Sequence, residues 1–171
     1  VLTALNRWLY GQGHREYGSA QAMVTTLSVL VIKSTTAHMF HVGDTRIYRM
    51  RDGKLECLTR DHRVHVSEDK NYLSRAMGIE LRMEIDYRTQ PVEQGDIYLL
   101  TTDGIHDYVD DSTLAEFLYS SNLDVEAVPR RIVERALESN SLDNVTCQLL
   151  KVEQLPHFLA IAQQLIEGKT I

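Results

Sequence analysis

Three aspartates in this chain have the residue type and the setting for chemistry: Asp44, Asp103 and Asp143. Asp44 follows Gly43 between two β-type runs. Asp103 closes the apolar run Ile97–Leu100 and precedes Gly104. Asp143 stands with Asn144 just ahead of the run Val145–Val152. If the strands bearing Asp103 and Asp143 are antiparallel neighbours, the end of one and the start of the other share a sheet edge. The turn at Asp44 can share that edge too. Two unit charges 4 Å apart repel by ~4 kcal/mol at an effective dielectric of 20, so such a cluster calls for a cation. Mg²⁺ or Mn²⁺ prefers carboxylate oxygens and keeps several waters. A water made acidic by the ion is a nucleophile at neutral pH, and two ions can hold a phosphoryl oxygen. Taken singly, Gly43-Asp44, Asp103-Gly104 and Asp143-Asn144 are ordinary turn sequences. Only their combination carries the reading.

The elements that must position these residues follow from periodicity. Leu2, Leu5 and Leu9 with Trp8 read as an amphipathic helix over 2–10, ended by Gly11 and Gly13. The β-branched run 27–32 reads as a strand covered on both faces. Strands are expected at 36–42, 46–51 and 54–59, joined by a turn at Gly43-Asp44-Thr45 and by Asp52-Gly53, whose positive-φ pair suits a type I′ turn. These three form one sheet in this reading. Residues 61–83 look polar and irregular, with a short helix at 69–77. Residues 85–90 alternate, and 97–100 is a buried central strand. Helices are expected around Leu114–Leu118, capped within Asp110 to Thr113, and around Val128–Leu137, with Pro129 in the first turn where its missing N–H costs little. A strand at 145–152 and a helix at 155–166 complete the pattern. Antiparallel runs of strands with runs of helices indicate an α+β fold.

Composition bounds the function. The 171 residues make one domain or most of one. A formal net charge of −6 argues against a general nucleic-acid or anionic-membrane binder. No apolar stretch reaches the ~20 residues of a membrane span, and no signal peptide is visible. Cys57 and Cys147 make neither a disulfide framework nor a zinc pattern, so a reducing, cytoplasmic setting is expected. Both read as small buried fillers. His38, His41, His62 and His65 are read as ordinary surface or core histidines. Asp61-His62 reads as a strand-end turn or a border of the substrate region. Tyr98 is read as core, and Arg46 and Arg75 either pair with local acids, the default, or steer a phosphopeptide. The chain starts at Val1 directly in a helical pattern and reads as a piece of a longer polypeptide.

Five segments stand in a distinctive order: Val42-Gly43-Asp44-Thr45-Arg46-Ile47-Tyr48, Leu58-Thr59-Arg60-Asp61-His62, Leu73-Ser74-Arg75-Ala76-Met77-Gly78, Thr101-Thr102-Asp103-Gly104-Ile105 and Ser141-Leu142-Asp143-Asn144-Val145-Thr146. The series resembles the metal-dependent type 2C (PPM) serine/threonine protein phosphatases from about Thr25 to Val152. The resemblance implies a four-layer α-β-β-α sandwich of antiparallel sheets with a binuclear Mg or Mn site at one end. Asp103 and Asp143 match two metal-ligand aspartates of the family, and Asp44 matches the aspartate linked to a third ion in many members. Gly43, Gly104 and Asn144 support these ligands, Asn144 through hydrogen bonds that fix its loop. The implied reaction is attack of metal-activated water on phosphoserine or phosphothreonine in proteins, without a phosphoenzyme.

A narrower resemblance links Ala4–Leu9, Thr25-Thr26, Phe40–Asp44 and Asp61–Val64 to the phosphatase part of bacterial phosphatase–kinase fusions. On that reading residues 1–153 are a partial phosphatase domain, and 154–171 are a helix and connector leading to a C-terminal kinase domain. The chain departs from the family in its early part. It has no Asn-Glu-Asp stretch, no Asp-Gly-Met-Gly-Gly run and no upstream phosphate-gripping arginine. The sandwich is therefore expected to be N-terminally incomplete, and residues 1–171 alone to bind metal poorly and turn over little or no phosphoester. A noncatalytic phosphatase-like regulatory or interaction module, attached to a kinase, is the alternative expectation.

Overall fold

The computed structural model describes residues 1–16, 23–67, 70–119 and 124–156. In chain order these form α1 (Leu2–Glu16), β1 (Leu27–Lys33), β2 (Thr36–Val42), β3 (Arg46–Arg51), β4 (Lys54–Cys57), β5 (Arg63–Ser67), β6 (Lys70–Leu73), β7 (Asp86–Pro91), β8 (Ile97–Thr101), α2 (Asp103–His106), α3 (Asp111–Leu118), α4 (Ala127–Glu138) and β9 (Cys147–Lys151). Two antiparallel sheets carry the fold, in the orders β1-β2-β7 and β4-β3-β8-β9. Strands β5 and β6 form a separate hairpin.

The sheets stack because their strands are apolar on facing sides. Side chains alternate across a strand with period 2. On β8, Tyr98 and Leu100 enter one core and Ile97 and Leu99 the other. That two-sided burial explains why the run is continuously apolar. The first core lies between the sheets and includes Ala37, Met39, Ile47, Tyr98 and Val152. The second lies beneath α2, α3 and α4 and includes Tyr48, Leu99, Ile105, Leu114 and Ile132. Full burial of such aliphatic side chains contributes ~1.5–3 kcal/mol each. The α+β class with antiparallel sheets and helical layers is the one expected. α1 is held by the buried Asn6. Its amide donates to the Glu80 carbonyl at 2.9 Å and accepts from the Gly78 N–H at 2.8 Å. Among the described residues no helix is long and apolar enough to cross a membrane.

Several local expectations hold. β2 and β3 have the expected bounds, and Asp52 and Gly53 take φ of 49° and 73°, as the type I′ turn requires. Asp110 caps α3 by accepting from the Thr113 N–H at 2.9 Å, and Pro129 sits in the first turn of α4.

Others do not hold. The first helix continues through Gly11 and Gly13 to Glu16; two glycines cost about 2 kcal/mol of helix propensity and do not by themselves stop a helix. β1 is an edge strand, partly exposed, and is not covered on both faces. Residues 70–73 are a strand paired with β5, and not part of a helix. The strands 36–42, 46–51 and 54–57 are not one sheet. The turn at Gly43–Thr45 carries the chain from the first sheet to the second, because Gly43 adopts φ 110° and the two strands part there. The expected helix at 155–166 and the connector to a kinase lie largely outside the described residues.

Candidate functional site

The edge at which β8 ends and β9 begins is set by their antiparallel register, Thr101 opposite Cys147. Beyond it the two loops are stitched together. The Thr102 hydroxyl donates to the Asn144 carbonyl at 3.0 Å and accepts from the Thr146 N–H at 3.1 Å, and the Thr102 N–H donates to the Thr146 carbonyl at 3.0 Å. The chain reaches this point from α4 through a Schellman turn. Asn140 takes φ 63°, the Asn140 N–H donates to the Leu137 carbonyl, and the Ser141 N–H donates to the Ala136 carbonyl, both at 3.0 Å. Ser141, buried, then donates its hydroxyl to the Gly104 carbonyl at 2.8 Å. Gly104 is required by this closeness: a Cβ there would stand 2.5 Å from the Asn144 carbonyl oxygen. Asp103, in the first turn of α2, and Asp143 are thereby fixed side by side.

Asp44 arrives from the other sheet. Its turn is clamped by His62, whose N–H donates to the Gly43 carbonyl at 2.8 Å and whose Nδ1 accepts from the Gly43 N–H at 3.1 Å. With Nδ1 accepting, Nε2 carries the proton and donates to Asp86 at 3.0 Å. His41 has a similar structural role, donating to the Arg60 carbonyl at 3.1 Å and accepting from Ser28 at 2.9 Å. Asp61 receives a two-pronged contact from Arg46 at 2.8 and 3.0 Å, and Arg75 pairs with Asp86 at 2.8 Å. These pairs are structural, as expected of Arg46 and Arg75. Tyr98 is core, and burial pushes the Cys147 thiol up to about 11 and the Cys57 thiol upward, which keeps both unreactive.

Asp44, Asp103, Asp143 and Asn144 line a single cleft of about 540 Å³, together with Thr26, Arg63 and Asp107. All three aspartates singled out from sequence therefore line one cleft. Asp44 is buried, Asp103 partly so, and Asp143 and Asn144 are exposed. Burial, reinforced by the charges of Asp44 and Asp143, raises the Asp103 carboxyl above the usual carboxylate range. Arg63 and the Gly104 N–H oppose the rise. Asn144 fixes the loop through its backbone: its N–H donates to Asp143 at 2.6 Å and its carbonyl accepts from Thr102.

Two residues of the cleft escape a reading by motif. Arg63 donates to Asp44 at 2.7 Å, to Asp103 at 3.2 Å, and to both oxygens of Asp107 at 3.1 and 2.8 Å. Asp107 lies one helical turn after Asp103, so its place beside Asp103 was available from spacing alone. The donor set is all carboxylate oxygen, with four acidic groups against one guanidinium, and this chemistry fits a hard divalent cation. Among the described residues no three His, Cys, Asp or Glu side chains converge closely enough to hold an ion. Arg63 stands among the carboxylates instead.

Comparison with known proteins identifies what the whole chain is similar to. The sequence model of the family Protein phosphatase 2C matches residues 2–148. The serine/threonine protein phosphatase PstP of Mycobacterium tuberculosis (strain H37Rv) is 30% identical over 142 residues, which cover 74% of this chain and 27% of PstP. Protein phosphatase PhpP of Streptococcus pneumoniae (strain D39) is 26% identical over 149 residues, covering 78% of this chain and 60% of PhpP. The chain thus spans about a quarter of one relative and three fifths of the other. Among solved structures, PppA, a regulatory component of the T6SS in Pseudomonas aeruginosa, superposes with a TM-score of 0.79 at 29% identity, covering 88% of this chain and 66% of PppA. The catalytic domain of PstP in complex with two manganese ions gives a TM-score of 0.70 at 26% identity, covering 85% of this chain and 67% of that domain.

Proposed function

The chain belongs to the protein phosphatase 2C family, and from that premise we propose that it supplies the late aspartates of a metal-dependent phosphatase acting on phosphoserine and phosphothreonine in proteins. The observation that carries the reading is that Asp44, Asp103 and Asp143, brought from two sheets, line one cleft. Asp103 and Asp143 are the residues that would hold the ion pair, with Asp44 serving an additional ion. Magnesium and manganese both suit these ligands. Such ions, when bound, activate water and neutralise phosphoryl charge.

The chain's own residues provide positioning. The Thr102 clamp and the Ser141–Gly104 bond hold the Asp103 and Asp143 loops in register. The His62–Gly43 clamp holds Asp44 against them. Burial first, and then the charges of Asp44 and Asp143, raise the Asp103 carboxyl, and a divalent cation would relieve the second of these causes. The comparisons lend no support to a noncatalytic module. Because the ligands in this chain are few and Arg63 already engages two of them, turnover by residues 1–171 alone is expected to be low.

The test is phosphate release from a phosphothreonine peptide by the purified chain, with and without Mn²⁺ and with Asp103→Asn alongside. Slow, Mn²⁺-dependent release that the substitution abolishes supports the assignment. Release that ignores both chelation and Asp103→Asn contradicts it.

A further inference from the structure

We propose that Arg63 is an internal counter-cation of the acidic cleft, holding carboxylate oxygens that a divalent ion needs, so that the ion binds only by displacing Arg63 from Asp44 and Asp103. This rests on the reading of the cleft as a divalent-cation site.

Three observations carry it. First, one guanidinium contacts carboxylates from three places in the fold: Asp44 in the crossing turn, Asp103 at the start of α2, and Asp107 just after α2. The Arg63 side chain is only 12% exposed, so this is a seated group and not a loose surface pair. Second, its seat is built in. Arg63 opens β5, directly after His62, and His62 is locked to Gly43 in both directions. The arginine therefore emerges beside the turn that presents Asp44. Third, an arginine stays charged at any working pH. A change of pH cannot remove it, and only another cation can take its place.

Asp107 suggests how the exchange happens. It is half-exposed and pairs with Nη1 through both oxygens, while Nε and Nη2 hold Asp44 and Asp103. The fork can keep its outer contact as its inner contacts yield, so Arg63 pivots towards the mouth of the cleft and stays within it. Without an ion, Arg63 balances the aspartates and holds the two sheets together at this edge. With an ion, the same charge is repelled from the interior.

The experiment is Mn²⁺ titration of the 171-residue chain by calorimetry and by electron paramagnetic resonance, with melting followed in parallel. The variants are Arg63→Gln, Arg63→Lys and Arg63→Gln combined with Asp103→Asn. Arg63→Gln is expected to bind Mn²⁺ about tenfold more tightly or better, the effect of removing one unit charge at contact distance even when screened as in water. Its melting temperature without metal falls, and its gain on adding Mn²⁺ exceeds that of the parent chain. Adding Asp103→Asn removes the gain. If Arg63→Gln does not fold without metal, Arg63→Lys decides: it cannot span three carboxylates, and a Kd lower by about threefold is expected because lysine is a single point charge without the planar fork. Unchanged or weaker binding in Arg63→Gln, or in Arg63→Lys where it decides, overturns the inference while leaving the cleft a metal site. Mn²⁺ bound neither by the parent chain nor by Arg63→Gln overturns both.

Discussion

Replacing Gly43 by alanine tests how tightly Asp44 is positioned. Gly43 has φ 110°, and a Cβ placed there would stand 2.4 Å from both Cβ and Cγ2 of Thr26 and 3.0 Å from its Cα. Two separate costs arise. A non-glycine residue held at such a φ costs about 1–3 kcal/mol. Forcing an extra methyl into occupied space costs about another 1–3 kcal/mol. The sum, about 2–6 kcal/mol, is a large part of the ~5–15 kcal/mol that typically holds a domain together. Urea unfolding measures it: with a slope of ~2 kcal/mol/M, the midpoint should fall by about 1–3 M. Thr26→Gly separates the two contributions. It removes the atoms at 2.4 Å but leaves the backbone contact and the φ, so in a double-mutant cycle it should recover the clash and not the strain. A Gly43→Ala midpoint equal to that of the parent chain would mean that neither cost operates at this turn. Equal destabilisation with and without the Thr26 side chain would show that strain alone operates.

Two further outcomes follow from the same geometry. His106 is buried, with Nδ1 bonded to the Thr101 hydroxyl at 2.9 Å and, among the described residues, no hydrogen-bond partner for Nε2, which lies 4.0 Å from an Asp107 carboxylate oxygen. Burial lowers its pKa to about 4. The unfolded chain takes the proton near 6.5 and the folded chain refuses it until about 4, so stability is lost as pH falls through that window, by ~3 kcal/mol in all. His106→Gln should flatten the fall measured by unfolding between pH 6.5 and 4, leaving the smaller slope from His41, whose pKa burial also lowers; an unchanged slope contradicts this. Thr102→Val should cost about 1–2 kcal/mol by unpairing groups of the 144–146 loop, and Thr102→Ser should be near neutral. Amide hydrogen exchange at Thr146, whose N–H donates to Thr102, should speed up in the valine variant and not in the serine one.

The parts of the fold that were legible in the sequence are those written locally. β2 and β3 show their bounds through alternation, and Asp52-Gly53 shows its turn through the need for positive φ. The three aspartates could be placed on one edge because strand ends and antiparallel pairing fix where they fall. Sheet membership was not legible. A glycine-aspartate turn looks the same whether the chain reverses within one sheet or crosses to another, and here the choice is made by packing between β2 and β3. The β5–β6 hairpin is short and its register shifts between His65 and Ser67, so the alternation of Val64 and Val66 in β5 is a signal that a reading of 61–83 as irregular passes over. Arg63 was missed for a different reason. Its partners Asp103 and Asp107 lie 40 and 44 residues away in the chain, and nothing in local spacing announces that contact. Asn140, by contrast, gave a usable signal: an asparagine just past an amphipathic helix suits a left-handed C-terminal turn, and that turn delivers Ser141 and Asp143 to the site.

Diffraction shows whether Asp103 and Asp143 together hold divalent ions. Crystals of the chain soaked in Mn²⁺ and measured at the manganese edge should show an anomalous peak within coordination distance of both carboxylates, with Arg63 turned away from Asp103. Manganese bound elsewhere, or no peak in a cleft where Arg63 keeps Asp44 and Asp103, would mean that these aspartates are not its ligands.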